Sequence, residues 1–156
     1  MMAARNTRMR LLRDERGFTL VELMMVVLII GILIAIALPT YLGVRARVED
    51  KAAQADLRNG LVTALSHFSD GSTFSGFDVS AAQAGEPNLS WAGAGAPTSG
   101  SVGIQVAAGR QLLLVAVSDS DRFFCVSKHV TSPDTDMGQG AAFTDVDTVP
   151  ECAGGW

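Results

Sequence analysis

The chain has 156 residues and a formal net charge of −4, and this length suits a single domain. Residues 1–17 hold five arginines against two acids, a charge of +3, so the side chains of the other 139 residues sum to −7. This acidic remainder argues against non-specific nucleic-acid binding, which needs clustered Lys and Arg to displace counterions from the phosphates. We therefore expect no direct nucleic-acid partner.

A long apolar stretch follows the basic N-terminus. Only Thr19, Glu22 and Gly31 interrupt the apolar side chains of residues 18–38. About 20 such residues form a helix that can cross the hydrocarbon core of a bilayer, and arginines beside the span hold that end in the cytoplasm. Glu22 is unexpected, because a carboxylate within a membrane span costs about 2.5–3.5 kcal/mol and by default indicates a function.

The sequence around Glu22 resembles the processing site of the type IV prepilins. The residues that carry the resemblance are Arg16-Gly17-Phe18-Thr19-Leu20-Val21-Glu22. In that family a dedicated peptidase cleaves between the Gly and the Phe, the new N-terminal Phe is N-methylated, and the Glu is kept despite its cost. The detailed resemblance covers roughly residues 13–45 and is architectural beyond them.

The resemblance implies a role for three residues of this segment. Gly17 and Phe18 form the cleavage site, where a residue without a side chain allows a close approach to the backbone, and Phe18 is then the N-methylation site. Glu22 would neutralise the α-amino group of Phe18 on a neighbouring subunit and so set the register of assembly. The alternatives for Glu22 are a first-turn acid favoured by the helix dipole and an ion pair within one chain.

Three segments are expected along the chain. Residues 1–17 are a leader peptide that is removed, residues 18–39 are the transmembrane and filament-core helix, and residues 40–156 are an amphipathic helix with a globular head. The apolar segment follows the cleavage site, unlike that of a conventional secretory signal peptide, so the span is retained. Met9 is a second possible start, and the sequence does not decide between the starts.

One long helix is predicted from residue 18 to about residue 68. Apolar residues recur at helical spacing in its second half, which predicts a face covered by the head. They are Val44, Val48, Leu57, Leu61, Leu65 and Phe68. Pro39 removes a backbone hydrogen bond and Gly31 weakens the helix. We expect a helix kink or loosening at these two residues, which the resemblance links to filament packing.

The remainder of the chain predicts a small sheet. Runs rich in β-branched and aromatic residues predict antiparallel strands at residues 102–106, 111–118 and 122–130, with a fourth near residues 142–146. The predicted fold class is α+β, a long N-terminal helix packed on a small antiparallel sheet, and the resemblance implies that this is the type IV pilin fold.

A short helix is predicted between the long helix and the sheet. Asp78 would cap it over residues 79–84, and Gly85 and Pro87 would stop it.

Cys125 and Cys152 are the only cysteines. In an exported head they predict one disulfide, with two free thiols as the alternative. The bond would pin residues 131–151 to the sheet, which resembles the disulfide-closed C-terminal region of many type IV pilins.

The remaining polar groups give weaker signals. Two Asp-X-Asp pairs, Asp134 with Asp136 and Asp145 with Asp147, could offer oxygen ligands to Ca²⁺. Their spacing fits no EF-hand, and we expect no metal site.

The two histidines, His67 and His129, have no nucleophile motif around them and are interpreted as structural or surface residues. We expect no enzymatic activity and no cofactor.

The resemblance implies a structural subunit. The precursor would be a single-pass protein of the cytoplasmic membrane, and the mature chain would polymerise with copies of itself into an extracellular pilus. Its other partners would be the prepilin peptidase and methylase and the pilus assembly platform. The filament could serve adhesion, twitching motility or DNA uptake. The alternatives are a minor pilin (a tip adhesin or DNA receptor), a type II secretion pseudopilin and an ordinary single-pass membrane protein.

Overall fold

The computed structural model describes residues 17–132 and 134–156, so the predicted leader lies outside the described residues except for Gly17. Its two helices are α1 (Leu20–Gly71) and α2 (Val79–Gly85). Its five strands are β1 (Ser90–Ala92), β2 (Ser101–Ala108), β3 (Gln111–Val117), β4 (Phe123–His129) and β5 (Thr135–Gly140), followed by a 3₁₀ turn at Phe143–Asp145. The chain divides after Thr40 into two units.

The first unit contains the apolar part of α1. The helix begins at Leu20, two residues after the predicted start, and the side chains of residues 17–40 are all exposed. Within the described part of this unit, none of these apolar side chains is buried.

The second unit is built on a five-stranded sheet in the order β1-β2-β3-β4-β5. Strands β2 to β5 form an antiparallel meander, and β1 pairs with β2 in parallel. Strand β3 is buried on both faces from Leu112 to Val117, which explains its continuous apolar sequence. Gly109, at φ +55° in the turn between β2 and β3, adopts a backbone conformation that favours glycine.

The main core lies between the second half of α1 and one face of the sheet. Leu57 on α1 is completely buried in the same cluster as Leu112, Leu114 and Phe124. Burying such a side chain contributes about 1.5–3 kcal/mol. Gly60 permits the close approach, because a Cβ there would lie 3.2 Å from the Trp91 ring and 3.3 Å from Leu114.

A second, smaller core covers the other face of the sheet. Leu113 and Val115 point to this side of β3, and the C-terminal segment covers them with Val146 and Cys152. The sheet is therefore protected by a helix on one face and by irregular chain on the other.

Two expectations about the strands need correction. Residues 142–146 form no strand, because the side chain of Asp145 accepts hydrogen bonds from the backbone N–H groups of Ala141 and Ala142 and so stabilises a 3₁₀ turn. The fourth strand of the meander is β5, earlier in the chain. Strand β1, which follows the predicted and observed short helix α2, has no counterpart among the predicted strands.

The predicted apolar face of α1 is only partly covered by the head. Leu57, Leu61 and Phe68 pack in the core as expected. Val44 and Val48 are instead 55% and 63% exposed. Leu65 is also exposed, at 37%. Their positions on the covered face are taken by smaller and polar residues, namely Asp50, Ala53, Gln54, Gly60 and Ala64.

Candidate functional site

The predicted cleavage site lies just before the long helix. Residues 17–19 have no regular secondary structure. The side chain of Phe18 is 73% exposed, and a Cβ placed on Gly17 would meet no atom within 4 Å. Exposed chain without regular structure is where proteolysis occurs most readily. The peptide bond between Gly17 and Phe18 is therefore accessible, and cleavage there stays a prediction.

Thr19 is the N-cap residue of α1. Its side-chain Oγ1 accepts a hydrogen bond from the backbone N–H of Glu22 at 3.2 Å, and its carbonyl oxygen accepts one from the N–H of Leu23 at 3.2 Å. The first bond satisfies one of the N–H groups that have no partner within the first turn of a helix. The apolar pattern presents Thr19 only as an interruption, but Thr-x-x-Glu before apolar residues is a helix-start signature that identifies it.

Glu22 lies three residues after the cap, in the exposed first turn of α1. A carboxylate there interacts favourably with the positive end of the helix dipole. The helix itself therefore favours a carboxylate at Glu22 within a single chain. Its pairing with the Phe18 amine of another subunit stays a prediction.

The apolar run behind Glu22 is exposed along its whole length. Every large apolar side chain from Leu20 to Leu38 is between 45% and 75% exposed. Among the described residues α1 is the one helix long and apolar enough to cross a membrane, by length and composition. An apolar surface of this extent indicates a contact with lipid or with other proteins.

Gly31 and Pro39 both lie inside α1. A Cβ placed on Gly31 would meet no atom within 4 Å, so packing within one chain does not require a glycine there. Pro39 has no N–H to donate to the carbonyl of Ala35, which removes one bond of the helix. A kink or loosening at these residues stays a prediction.

The predicted disulfide joins Cys125 on β4 to Cys152 in the C-terminal segment. The two residues are 27 positions apart, with their Cα atoms separated by 5.8 Å. Both are fully buried in the smaller core beside Leu113, Val115 and Val146. The bond fastens the C-terminal segment to the face of the sheet that α1 does not cover.

After Cys152 the chain crosses the outer edge of β5. Gly154 forms an isolated antiparallel bridge with Gly138, and the N–H of Gly155 donates to the carbonyl of Met137 at 2.8 Å. A Cβ on Gly138 would lie 2.8 Å from the backbone nitrogen of Ala153, so a glycine is needed for this approach.

Trp156 then packs on the face of the sheet that carries the main core. Its indole N–H donates to the carbonyl of Cys125 at 2.9 Å, and its ring meets that of Phe124 edge-on. The Arg58 guanidinium of α1 lies 4.7 Å from the centre of the indole, within the range of a cation–π interaction.

A buried carboxylate on α1 binds the turn between β3 and β4. Asp50 is 9% exposed and accepts hydrogen bonds from the hydroxyls of Ser118 at 2.8 Å and Ser120 at 2.6 Å. The Arg122 guanidinium lies 3.4 Å from its second oxygen and also donates to Gln139 on β5. Helical periodicity assigns Asp50 to the polar side of α1, and no local signal in the sequence reveals these partners.

The four aspartates considered for calcium do not assemble into a site. The side chain of Asp145 accepts hydrogen bonds from the backbone at the start of the 3₁₀ turn. Partial burial, and secondarily the neighbouring Glu151, raise the pKa of Asp147. Within residues 17–132 and 134–156, no three His, Cys, Asp or Glu side chains come together as a metal-binding group. The calcium hypothesis therefore gains no support.

Both histidines have ordinary neighbours. The ring of His67 lies 5.4 Å from that of Phe77, and Nδ1 of His129 is hydrogen-bonded to the hydroxyl of Thr131. These contacts fit the interpretation of both as structural or surface residues.

Comparison with known proteins shows similarity that includes the N-terminal segment. Residues 12–38 match the family described as the prokaryotic N-terminal methylation motif. The chain is also similar to the type IV major pilin protein PilA of Myxococcus xanthus, with 44% identity over 63 residues, which are 40% of this chain and 29% of that protein. The N-terminal segment is therefore similar to that of type IV pilins.

Fimbrial proteins show the same pilin similarity. One from Moraxella nonliquefaciens is 52% identical over 52 residues, 33% of each chain. One from Pseudomonas aeruginosa is 48% identical over 46 residues, 30% of each chain. The chain thus spans about a third of the length of the curated relatives it matches, all of which are structural pilin or fimbrial proteins and not enzymes. Its α+β fold, with a long N-terminal helix and a mostly antiparallel sheet, is type IV pilin-like.

Proposed function

We propose that this chain is the precursor of the structural subunit of a type IV pilus filament. The observation that carries the proposal is an exposed apolar helix with a glutamate in its first turn, directly after an accessible Gly-Phe bond. A plain membrane anchor needs the apolar helix but neither of the other two features. A polymer formed through this helix uses all three.

Processing is the first step of the proposed function. Prepilin peptidase cleaves between Gly17 and Phe18 and releases residues 1–17, and the new α-amino group of Phe18 is N-methylated. The catalytic groups belong to the peptidase and methylase, and this chain is their substrate. The exposed, non-helical backbone at residues 17–19 supports this step.

Assembly depends on the charge that cleavage creates. The α-amino group of Phe18 is largely protonated near neutral pH, because its reference pKa is about 7.7–8.0. In an apolar bundle this ammonium and the carboxylate of Glu22 attract strongly, while either charge left unpaired is costly. We assign the Phe18 amine of a neighbouring subunit as the partner of Glu22, so that both charges are paired in only one axial register of the subunits.

The apolar helix has two successive environments in this proposal. In the precursor, lipid of the cytoplasmic membrane surrounds residues 18–39. In the filament, the same side chains pack against copies of α1. Exposed residues further along the helix, such as Val44 and Val48, also gain partners there. An assembly platform in the membrane would transfer subunits from the first environment to the second.

The head would form the outer surface of the filament. It is acidic, as a soluble exported surface can be, and its disulfide suits an oxidising compartment. Adhesion, twitching motility and DNA uptake are all uses of such a filament. The phenotype of a strain that processes the subunit but makes no filament would distinguish them.

Substitution of Glu22 tests the proposed function. Glu22→Gln and Glu22→Ala should still be cleaved after Gly17 but should give no filaments, because the Phe18 ammonium would be buried without a partner. Glu49→Gln is the matched control, since Glu49 is a carboxylate of the same helix that pairs with Arg45 of its own chain at 2.7 Å. Normal filaments from Glu22→Ala would contradict the proposal.

A minor pilin or a pseudopilin would share the same N-terminal segment and the same loss on Glu22 substitution. The abundance of the chain separates these possibilities, because a major subunit dominates the protein of sheared filaments and a minor one is present in traces.

A further inference from the structure

We propose that Thr19 is a positioning residue for processing: by capping α1 it fixes the first helical residue at Leu20 and keeps the peptide bond between Gly17 and Phe18 outside the helix. The inference rests on the proposed function and adds to it a residue that acts through backbone conformation. Thr19 itself lies on the far side of the scissile bond from the leader.

The geometry that carries this inference is the pair of hydrogen bonds at Thr19. Its Oγ1 accepts from the N–H of Glu22, and its carbonyl accepts from the N–H of Leu23, both at 3.2 Å. An N-cap residue accepts the first intrahelical bond with its carbonyl while its own backbone stays non-helical. Thr19 therefore marks the end of the helix, and the two residues before it are outside.

The apolar surroundings of α1 make it necessary to end the helix at a defined residue. Where water is scarce, each unsatisfied N–H costs several kcal/mol. A helix beginning in an apolar segment therefore tends to grow toward its N-terminus until its first N–H groups find acceptors. Growth by three residues would include Thr19, Phe18 and Gly17 and commit their backbone groups to the first turn. The hydroxyl of Thr19 supplies the acceptor at the point where growth must end.

Substitutions at Thr19 can distinguish the role of its hydroxyl oxygen as a hydrogen-bond acceptor from the role of its side-chain shape. Thr19→Val keeps the branched shape but has no side-chain oxygen to accept a bond. Thr19→Ser and Thr19→Asn change the shape but keep a good N-cap oxygen. Thr40→Val is the matched control, because Thr40 is an exposed threonine inside the same helix and caps nothing.

The test measures the initial rate of cleavage of the full-length chain by prepilin peptidase in reconstituted liposomes, followed by mass spectrometry. Thr19→Val should be cleaved about three- to tenfold more slowly, the range that the loss of an N-cap implies. Thr19→Ser and Thr19→Asn should stay within about twofold of the wild-type rate, and Thr40→Val should be unchanged. A wild-type rate for Thr19→Val, or equally slow cleavage of all three Thr19 variants, would overturn the proposal.

A second readout reports the conformation directly. The Cα chemical shifts of Gly17 and Phe18 in the detergent-solubilised precursor should be non-helical in the wild-type chain and move toward helical values in Thr19→Val. If Thr19→Val is cleaved slowly but these chemical shifts do not change, the peptidase contacts the hydroxyl itself. That result would overturn the proposal. If the wild-type chain is not cleaved at all, the proposed function fails and this inference fails with it. If the chain is cleaved at a rate that does not depend on residue 19, only this inference fails.

Discussion

The indole N–H of Trp156 donates a hydrogen bond to the backbone carbonyl of Cys125, the same residue whose sulfur is bonded to Cys152. The disulfide lies in the smaller core on one face of the sheet, and the indole packs against the main core on the other. The residues between Cys152 and Trp156 cross β5 at Gly138. The C-terminal segment thus covers an edge strand, which would otherwise expose unpaired backbone groups to other chains.

This arrangement predicts graded effects at Trp156. Trp156→Phe should cost about 1 kcal/mol, because it keeps a ring against Phe124 but removes the hydrogen bond to the Cys125 carbonyl. Trp156→Ala should cost about 2–4 kcal/mol, since the contact with Phe124 and the cation–π interaction with Arg58 are lost as well. Urea unfolding of the full chain in detergent measures both. Amides of β5 should lose hydrogen-exchange protection first, and unchanged protection in Trp156→Ala would contradict this role.

Removal of the disulfide should destabilise the head by about 3–4 kcal/mol, the value for closing a loop of this length in the unfolded chain. The variant is Cys125→Ala combined with Cys152→Ala, because both sites lie in an apolar core and a single free thiol could form mixed disulfides. Thermal unfolding of the full chain gives the change, and the reduced wild-type chain serves as the comparison. Equal unfolding temperatures with and without the bond would show that the C-terminal segment is held by packing alone.

Asp50 should be the most sensitive polar residue of the second half of α1. Asp50→Ala leaves the hydroxyls of Ser118 and Ser120 without their acceptor and separates Arg122 from the helix, so we expect a loss of about 2–3 kcal/mol. Asp70→Ala, an exposed aspartate near the end of the same helix, should change stability by less than about 0.5 kcal/mol.

A double-mutant cycle isolates the contact of Asp50 with the β3–β4 turn. Asp50→Ala and Ser118→Ala should be non-additive by about 0.5–3 kcal/mol, as expected for residues in one hydrogen-bond network. Additive effects would mean that Asp50 acts on the helix alone.

The strands that periodicity predicts are those whose side chains pack on both sides. β2, β3 and β4 are rich in β-branched and aromatic residues and could be located from the sequence. β5 has the sequence Thr-Asp-Met-Gly-Gln-Gly, which has little strand preference. It forms because it completes the edge beside β4, and its glycines admit Ala153 and Asp145 at distances that a Cβ would not allow. Contacts of this kind depend on chain that lies elsewhere in the sequence.

The covered face of α1 could not be predicted from the spacing of its apolar residues alone. Apolar spacing places Val48 on that face, but the head covers Asp50 and Gln54 instead. A buried carboxylate is acceptable only because the serine hydroxyls that bind it come from a turn 68 and 70 residues away. Spacing along one helix identifies which apolar residues need a partner, and it does not say whether the partner is the head or another molecule.

The start of α1 could be predicted from the sequence because its information is local, whereas the functional roles of Gly17, Phe18 and Glu22 stay predictions. Gly17, Phe18 and Glu22 lie within six consecutive residues, and the start of α1 beside them needs only the Thr-x-x-Glu pattern. The proposed partner of Glu22 is the amine of another subunit, which exists only after cleavage. No property of one uncleaved chain brings the two charges together.

Whether the chain is processed and assembled into filaments can be tested by mass spectrometry of filaments sheared from cells that express it. We expect the dominant N-terminal peptide to begin at Phe18, to carry one additional methyl group on its α-amino nitrogen and to lack residues 1–17. The proposed function would be contradicted if the chain were found only uncleaved, in the membrane fraction, and absent from the sheared filaments.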